Sequence, residues 1–198
     1  SLAYRNGTMY SSYTAASFAR IYDLADHFGV NLKGIVTWAF EFEGQPWFNG
    51  YRDLATNGVD KPVLNVFRMF GMMQGKRVEV SGDLAYDYIL ARDSSVRGEK
   101  PDISAFAVTG DSAAGIMVWN YHDVNRIRPE TGVKLLIKGI PAKKANMFQY
   151  RIDQDNSNSY EAWKRLGSPQ NPAPQQYAEL EMAVMLEMVQ GPVNLKVR

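Results

Sequence analysis

Apolar residues at Phe18, Ile21, Ala25 and Phe28 recur at the spacing of one helix face, which predicts a helix over 11–28 closed by Gly29. Ser11 or Ser12 would cap its start. The period then changes. In the stretch 34–51, GIVTWAFEFEGQPWFNGY, the residues Ile35, Val36, Trp38, Phe40 and Phe42 are β-branched or aromatic, and Gly34 and Gly44 mark the two ends. That composition predicts a buried strand over 34–42. Asp60-Lys61-Pro62 next reads as an N-cap with proline in the first turn, and Val63, Val66, Phe67 and Phe70 line one helical face as far as Gly71. A lone strand between two helices cannot close a sheet, so residues 1–75 are expected to be the tail of a larger α/β unit. On that expectation the faces of Phe18, Ile21, Val63 and Phe67 lack partners and would draw chains together through this region.

From Arg77 onward short β-type runs at 84–90, 103–109, 115–121, 133–138 and 146–152 alternate with loops rich in Gly, Asp, Asn or Pro. This rhythm predicts an antiparallel β-sandwich or a similar all-β module over 76–198. The segment 91–102 reads as a charged loop and 153–159 as a turn-rich one. A short helical turn is predicted at 160–166, and SPQNPAP is a sharp break. Tyr177, Leu180, Ala183, Val184 and Glu187 give a last helical pattern, although Val184 and Met185 suit a strand equally well. The fold class is therefore α+β in two parts, 1–75 and 76–198.

Composition narrows the class of function. Of 198 residues, 45% are hydrophobic and 22% charged, which is ordinary for a globular chain and excludes global disorder. The net charge of +1 comes from scattered basic residues and leaves no footprint for nucleic acid. Without cysteine there is neither a disulfide framework nor a thiolate metal site, and no cofactor is implied. No apolar run approaches the roughly 20 residues of a membrane span, and the first residues, SLAYRNGTMY, carry no signal-peptide pattern. A soluble protein of cytoplasm or periplasm fits equally.

Candidate chemistry gathers at the end of the predicted strand 34–42. Glu41 and Glu43 stand at its end beside Trp47, Phe48 and Tyr51. Carboxylates accept from hydroxyls and aromatic faces cover the apolar faces of sugars, so these residue types suggest a carbohydrate site. The same residues are equally explained as core aromatics with two solvated glutamates. His27, near a helix end where a cation complements the dipole, reads as structural. In WNYHD, His122 and Asp123 are sequence neighbours that do not ordinarily face each other, and no serine sits in a nucleophile elbow. Asp153, Asp155, Asn156 and Asn158 lack the glycine and closing glutamate of a calcium loop and read as a turn. Trp163 is expected to plug a gap between the two parts, and the methionines to pack.

Several blocks together carry a family likeness: YRNGTMYSSYTAA, TWAFEFEGQPWFNGYRDLATNGVDKPVLNVFRMFG, VWNYHD and RIDQDNSNSYEAWKRLGSPQNP. In this order they resemble the C-terminal part of a glycoside hydrolase family 39 β-xylosidase. The resemblance implies a (β/α)8 barrel followed by a β-sandwich-containing domain. The first helix would be the barrel's seventh, 34–42 its eighth strand and 61–70 its eighth helix. Barrel sites form at the C-terminal ends of strands, where Glu41 and Glu43 fall. Retaining glycosidases use two carboxyl groups about 5 to 5.5 Å apart; in this family both lie on earlier strands, so the resemblance implies no catalytic residue within the chain. It implies substrate-binding roles instead. Trp38 and Phe40 correspond to aromatic positions of the last strand, and Glu43 to a carboxylate that holds xylose hydroxyls. Glu41 shares that role if the strand continues regularly, and Trp47 would converge on the same cleft. No metal is implied. The family adds further strands beyond the equivalent of VNLKVR.

Two functions are open as expectations. One is the C-terminal portion of a β-xylosidase that releases xylose from β-xylosides and xylo-oligosaccharides, inactive on its own. The alternative is an autonomous β-sandwich module with a binding or structural role. Aromatics converging with Glu43 in one cleft favour the first, and aromatics spread over a flat sheet face the second.

Overall fold

The computed structural model describes residues 2–98, 100–124 and 130–197. Helix α1 (Leu2–Asn6) turns at Gly7 into α2 (Thr8–His27), which begins earlier than the apolar pattern predicts. Gly7 occupies the N-cap position, so neither Ser11 nor Ser12 caps the helix; Ser11 is buried and the Ser12 hydroxyl donates back to Thr8 O at 3.1 Å. Its end agrees with the sequence pattern. Gly29 adopts a left-handed φ of 64°, and Gly29 N and Val30 N donate to Asp26 O and Ala25 O in the paired bonds of a Schellman cap.

The predicted strand over 34–42 does not form. The segment is irregular and outward-facing, with Val36 93% and Trp38 79% exposed. A strand is satisfied only by neighbours, and among the described residues none pairs with it; of its backbone, Phe40 O accepts from Leu54 N and Ala55 N. Ala39 at φ 50° further breaks the alternation. Beyond this segment comes a small antiparallel ribbon, β1 (Ala55–Thr56) with β2 (Val59–Asp60), then α3 (Pro62–Met72) with proline in its first turn. Lys61, not Asp60, is the N-cap of α3, and the Asp60 carboxylate pairs with Arg68 in the helix's second turn. Phe18 stacks against Phe70 and meets Phe67 edge-on at 5.4 Å, and Val63 is buried beside Tyr10 and Leu54. Phe18, Val63 and Phe67 are therefore partnered, Ile21 stays 37% exposed, and Val36, Trp38 and Phe40 are barer still.

Strands β3 (Lys76–Val78), β4 (Asp102–Thr109) and β5 (Ala114–Tyr121) make a three-stranded antiparallel sheet, and β6 (Lys144–Arg151) pairs separately with β7 (Glu187–Lys196). The inner face of β4 and β5, with Phe106, Val108, Met117, Trp119 and Tyr121, packs on Ala15, Ala16 and Ala19 of α2. Small residues on that helix face let the sheet approach closely. The sheet is thus covered by a helix where the strand rhythm predicts a second sheet, and one core spans the boundary near residue 75. Two predicted strands are absent. Over 84–90 the chain loops and enters helix α4 (Tyr88–Ser94), capped by Asp87, whose Oδ1 accepts from Ile89 N and Leu90 N. Residues 133–138 are irregular and exposed. Part of the expected 91–102 loop is thus helical, and Glu99 within it lies outside the described residues. Helices α5 (Ser159–Arg165) and α6 (Pro174–Ala183) stand where the pattern puts them, and Glu187 belongs to a strand.

Candidate functional site

The loop 43–58 is built inward from Phe48, which is fully buried with its ring 4.9 Å from Trp163 and 5.3 Å from Tyr160. Its backbone is held on both sides: Asn6 Nδ2 donates to Phe48 O at 2.6 Å, and Phe48 N donates to Thr56 Oγ1 at 2.9 Å. Trp163 in turn donates through Nε1 to Pro169 O, so α5 and the SPQNP turn form the floor of the loop. Trp163 therefore fills a gap beneath the loop, close to the role expected of it. Trp47 lies in the same aromatic cluster, edge-on to Tyr177, and its N–H donates to Gln170 Oε1 at 2.9 Å. Its ring is part of the support of the loop rather than of an open face.

Under the loop Lys61 and Asp53 form an ion pair that solvent does not reach. Burial pushes the Lys61 ammonium below its ordinary range, and the Asp53 carboxylate counters part of that. Asp53 crowds Gly50 so closely that a Cβ there would sit 1.7 Å from Oδ2, so any larger residue displaces the Asp53 carboxylate. Phe48, Arg52 and Asn57 all take left-handed φ values, at 54°, 57° and 48°. Such backbone is costly for residues with a Cβ and persists only where the surroundings fix it.

The two glutamates have different surroundings. Glu41 is half-buried, and its carboxylate accepts from Gly58 N at 3.0 Å, which ties the 34–42 segment to the β1–β2 turn. Glu43 is exposed and has no hydrogen-bond or ion-pair partner among the described residues. Trp38 and Phe40 stand exposed on the same segment, at 79% and 57%. An open carboxylate near open aromatics can hold hydroxyls and cover a sugar face. Sequence reasoning gives no site role to Asn6, Asp53, Lys61 and Gln170, which shape the loop without displaying themselves; only their position inside the YRNG, YRDL, VDKP and SPQNP blocks hints at them.

Other candidates resolve to structure. The His122 ring lies between Gly98 O, at 2.6 Å from Nε2, and Val124 N, which donates to Nδ1. Asp123 instead accepts from Ser95, Arg97 and Tyr121. Asp153 Oδ1 accepts from the backbone N–H of Asp155 and Asn156, the turn its neighbours predict. His27 is exposed against Phe28 and Tyr88. No helix among the described residues is long and apolar enough to cross a membrane.

This α+β arrangement recurs in glycoside hydrolases. It superposes on the crystal structure of a monomeric β-xylosidase from Caulobacter crescentus with a TM-score of 0.64, at 17% identity, over 98% of this chain and 38% of that one. The GH39 enzyme from Xanthomonas axonopodis pv. citri gives 0.56 at 15% identity, again over 98% and 38%. A β-xylosidase of Caldicellulosiruptor saccharolyticus is 28% identical over 134 residues, 66% of this chain and 24% of that protein. The profile of glycosyl hydrolases family 39 matches residues 3–193, and the chain belongs to that family. It spans about a quarter to two fifths of the length of these relatives.

Proposed function

We propose that the chain is the C-terminal portion of a retaining β-xylosidase that releases xylose from β-xylosides and xylo-oligosaccharides. The observation that carries this reading is the family match over residues 3–193, joined to relatives in which the matched part is a minor share of the protein. Residues 1–75 supply the last helix-strand-helix of a (β/α)8 barrel, and 76–198 a β-rich accessory region whose β3–β5 sheet packs on α2. Segment 34–42 becomes the eighth strand when earlier strands supply its ladder, which accounts for its apolar yet exposed side chains. Glu43 then hydrogen-bonds xylose hydroxyls, Trp38 and Phe40 cover the ring, and Glu41 and Trp47 hold the loop that carries them.

The chemistry itself needs an acid to protonate the leaving oxygen and a nucleophile to attack the anomeric carbon from the opposite side. Glu41 and Glu43 stand two residues apart on one segment and cannot flank the bond, so both roles fall to strands outside this chain. The chain alone should therefore hydrolyse nothing. Incubating it with an aryl β-xyloside and with xylobiose, beside the longer enzyme, tests this: turnover by the longer protein only is expected. Turnover by the chain within about a hundredfold of the longer enzyme would overturn the assignment of the carboxylate pair.

A further inference from the structure

The chain has 9 methionines and no cysteine, so the thioether is its only oxidisable sulfur. Packing, the role expected of these residues, accounts for part of the set: Met117 is buried between the sheet and α2, and Met69 and Met73 lie against the same core. It does not account for Met182, Met185 and Met188, which stay 69%, 67% and 46% exposed around the junction of α6 and β7. They recur every third residue, so bare thioethers gather within one short stretch. Met72, 50% exposed at the end of α3, stands apart from them in sequence.

The backbone beneath these side chains is fixed without them. Val184 O accepts from Asn65 Nδ2 at 3.0 Å and from Arg68 Nη1 at 3.4 Å, Met185 N donates to Met182 O at 3.2 Å, and Glu187 N donates to Ser157 Oγ at 2.8 Å. Ala183 and Val184, between the two methionines, supply the packing against the cluster of Trp163 and Leu180. An oxygen added to Met182 or Met185 therefore displaces no core contact. Both residues also line a cavity of about 200 Å³ that Asp155, Arg165 and Glu187 share. Two carboxylates against one guanidinium oppose an anionic oxidant there and leave a neutral one unopposed.

We infer that Met182 and Met185 form a reversible modification site that takes an oxygen atom from a small neutral peroxide ahead of the chain's other methionines. In each step the thioether sulfur attacks one oxygen of hydrogen peroxide. An S–O bond forms, the O–O bond breaks, and the second oxygen leaves as water carrying both protons. The sulfur is oxidised by two electrons and the peroxide is reduced by two. The product is a methionine sulfoxide, which sulfoxide reductases return to the thioether, one enzyme for each epimer. Because both side chains stand on the surface, neither the oxidation nor its reversal requires the chain to unfold.

The test is a time course of the folded chain in dilute hydrogen peroxide, with the sulfoxide at each methionine measured by peptide mapping and mass spectrometry. Met182 and Met185 should oxidise first, at about tenfold or more the rate of Met69, Met73 and Met117. In urea, where all the sulfurs are equally open, the rates should converge. Chain oxidised at Met182 and Met185 alone should keep the urea midpoint of untreated chain, and the two sulfoxide reductases together should restore its mass. Replacing both residues, Met182→Leu with Met185→Leu, should remove the early phase of oxygen uptake. First sulfoxides at any other methionine overturn the inference, as do rates that rank the same in folded and unfolded chain, or a lowered midpoint after oxidation of these two alone.

Discussion

Arg20 of α2 and Asp102 of β4 meet at 2.6 Å, with the Asp102 side chain sealed from solvent. The carboxylate also accepts from Trp119 Nε1 and Tyr86 N, both at 2.9 Å, so one buried charge joins the helix, two strands and the 84–87 loop. Removing it leaves the indole N–H without its acceptor and the Arg20 guanidinium with only Tyr86 O, 3.5 Å away. Asp102→Ala is expected to lose about 3 to 5 kcal/mol of stability, because a broken buried pair costs more than the pair contributes. Urea unfolding measures this, and a loss below about 1 kcal/mol would mean the pair is not structural.

Trp163 supports the loop from beneath through Phe48 and Tyr160. Trp163→Ala should cost about 3 to 5 kcal/mol and empty the space under Phe48. Hydrogen exchange should accelerate at Trp47 and Phe48 well before it does at β4 and β5. Uniform loosening of the whole chain would show that the loop is not a separately supported unit.

Asp123 gives a pH dependence with a definite sign. Burial alone would raise its pKa, but hydrogen bonds from Arg97, Ser95 and Tyr121 outweigh that and hold it below the ordinary carboxylate value. The native state therefore binds the proton less readily than the unfolded chain. The stability this contributes is present above the unfolded value near ~3.9 and is lost as pH falls through the lower folded value. Asp123→Asn should flatten the acid limb of the stability curve below about pH 4 and leave its shape at neutral pH unchanged. An identical acid limb in wild type and variant would contradict this.

Much of the chain is legible where local pattern and tertiary outcome agree. Strands β4, β5 and β6 form on their β-branched and aromatic runs, and α2 and α3 on their apolar faces and end signals. The segment 34–42 has strand composition but depends on neighbours for its ladder, and composition cannot supply those. Over 84–90 the apolar run hides an N-cap at Asp87 that opens a helix three residues before the run ends. Alternation along β4 and β5 suits a second sheet, but it says only that one face is buried, and Ala15, Ala16 and Ala19 cover that face. In the candidate site, Glu43 and Trp38 are visible by type, whereas Asn6, Asp53 and Lys61 act through burial, which residue type does not display.

Val36, Trp38 and Phe40 together leave a bare apolar strip at 93%, 79% and 57% exposure. Strips of this kind draw in a second chain. Self-association that grows with concentration is expected by light scattering, and Trp38→Lys should weaken it. A strictly monomeric chain at high concentration would contradict this.

Whether Glu43 holds the sugar is read from kcat/KM of the longer enzyme on an aryl β-xyloside. Glu43→Ala should lose about 2 to 4 kcal/mol of transition-state stabilisation, roughly a thirty- to thousandfold fall, because a charged acceptor is removed and a sugar hydroxyl is left unpaired. Unchanged turnover and affinity in a folded Glu43→Ala enzyme would remove Glu43 from the site and contradict a sugar-binding role for the 34–42 segment.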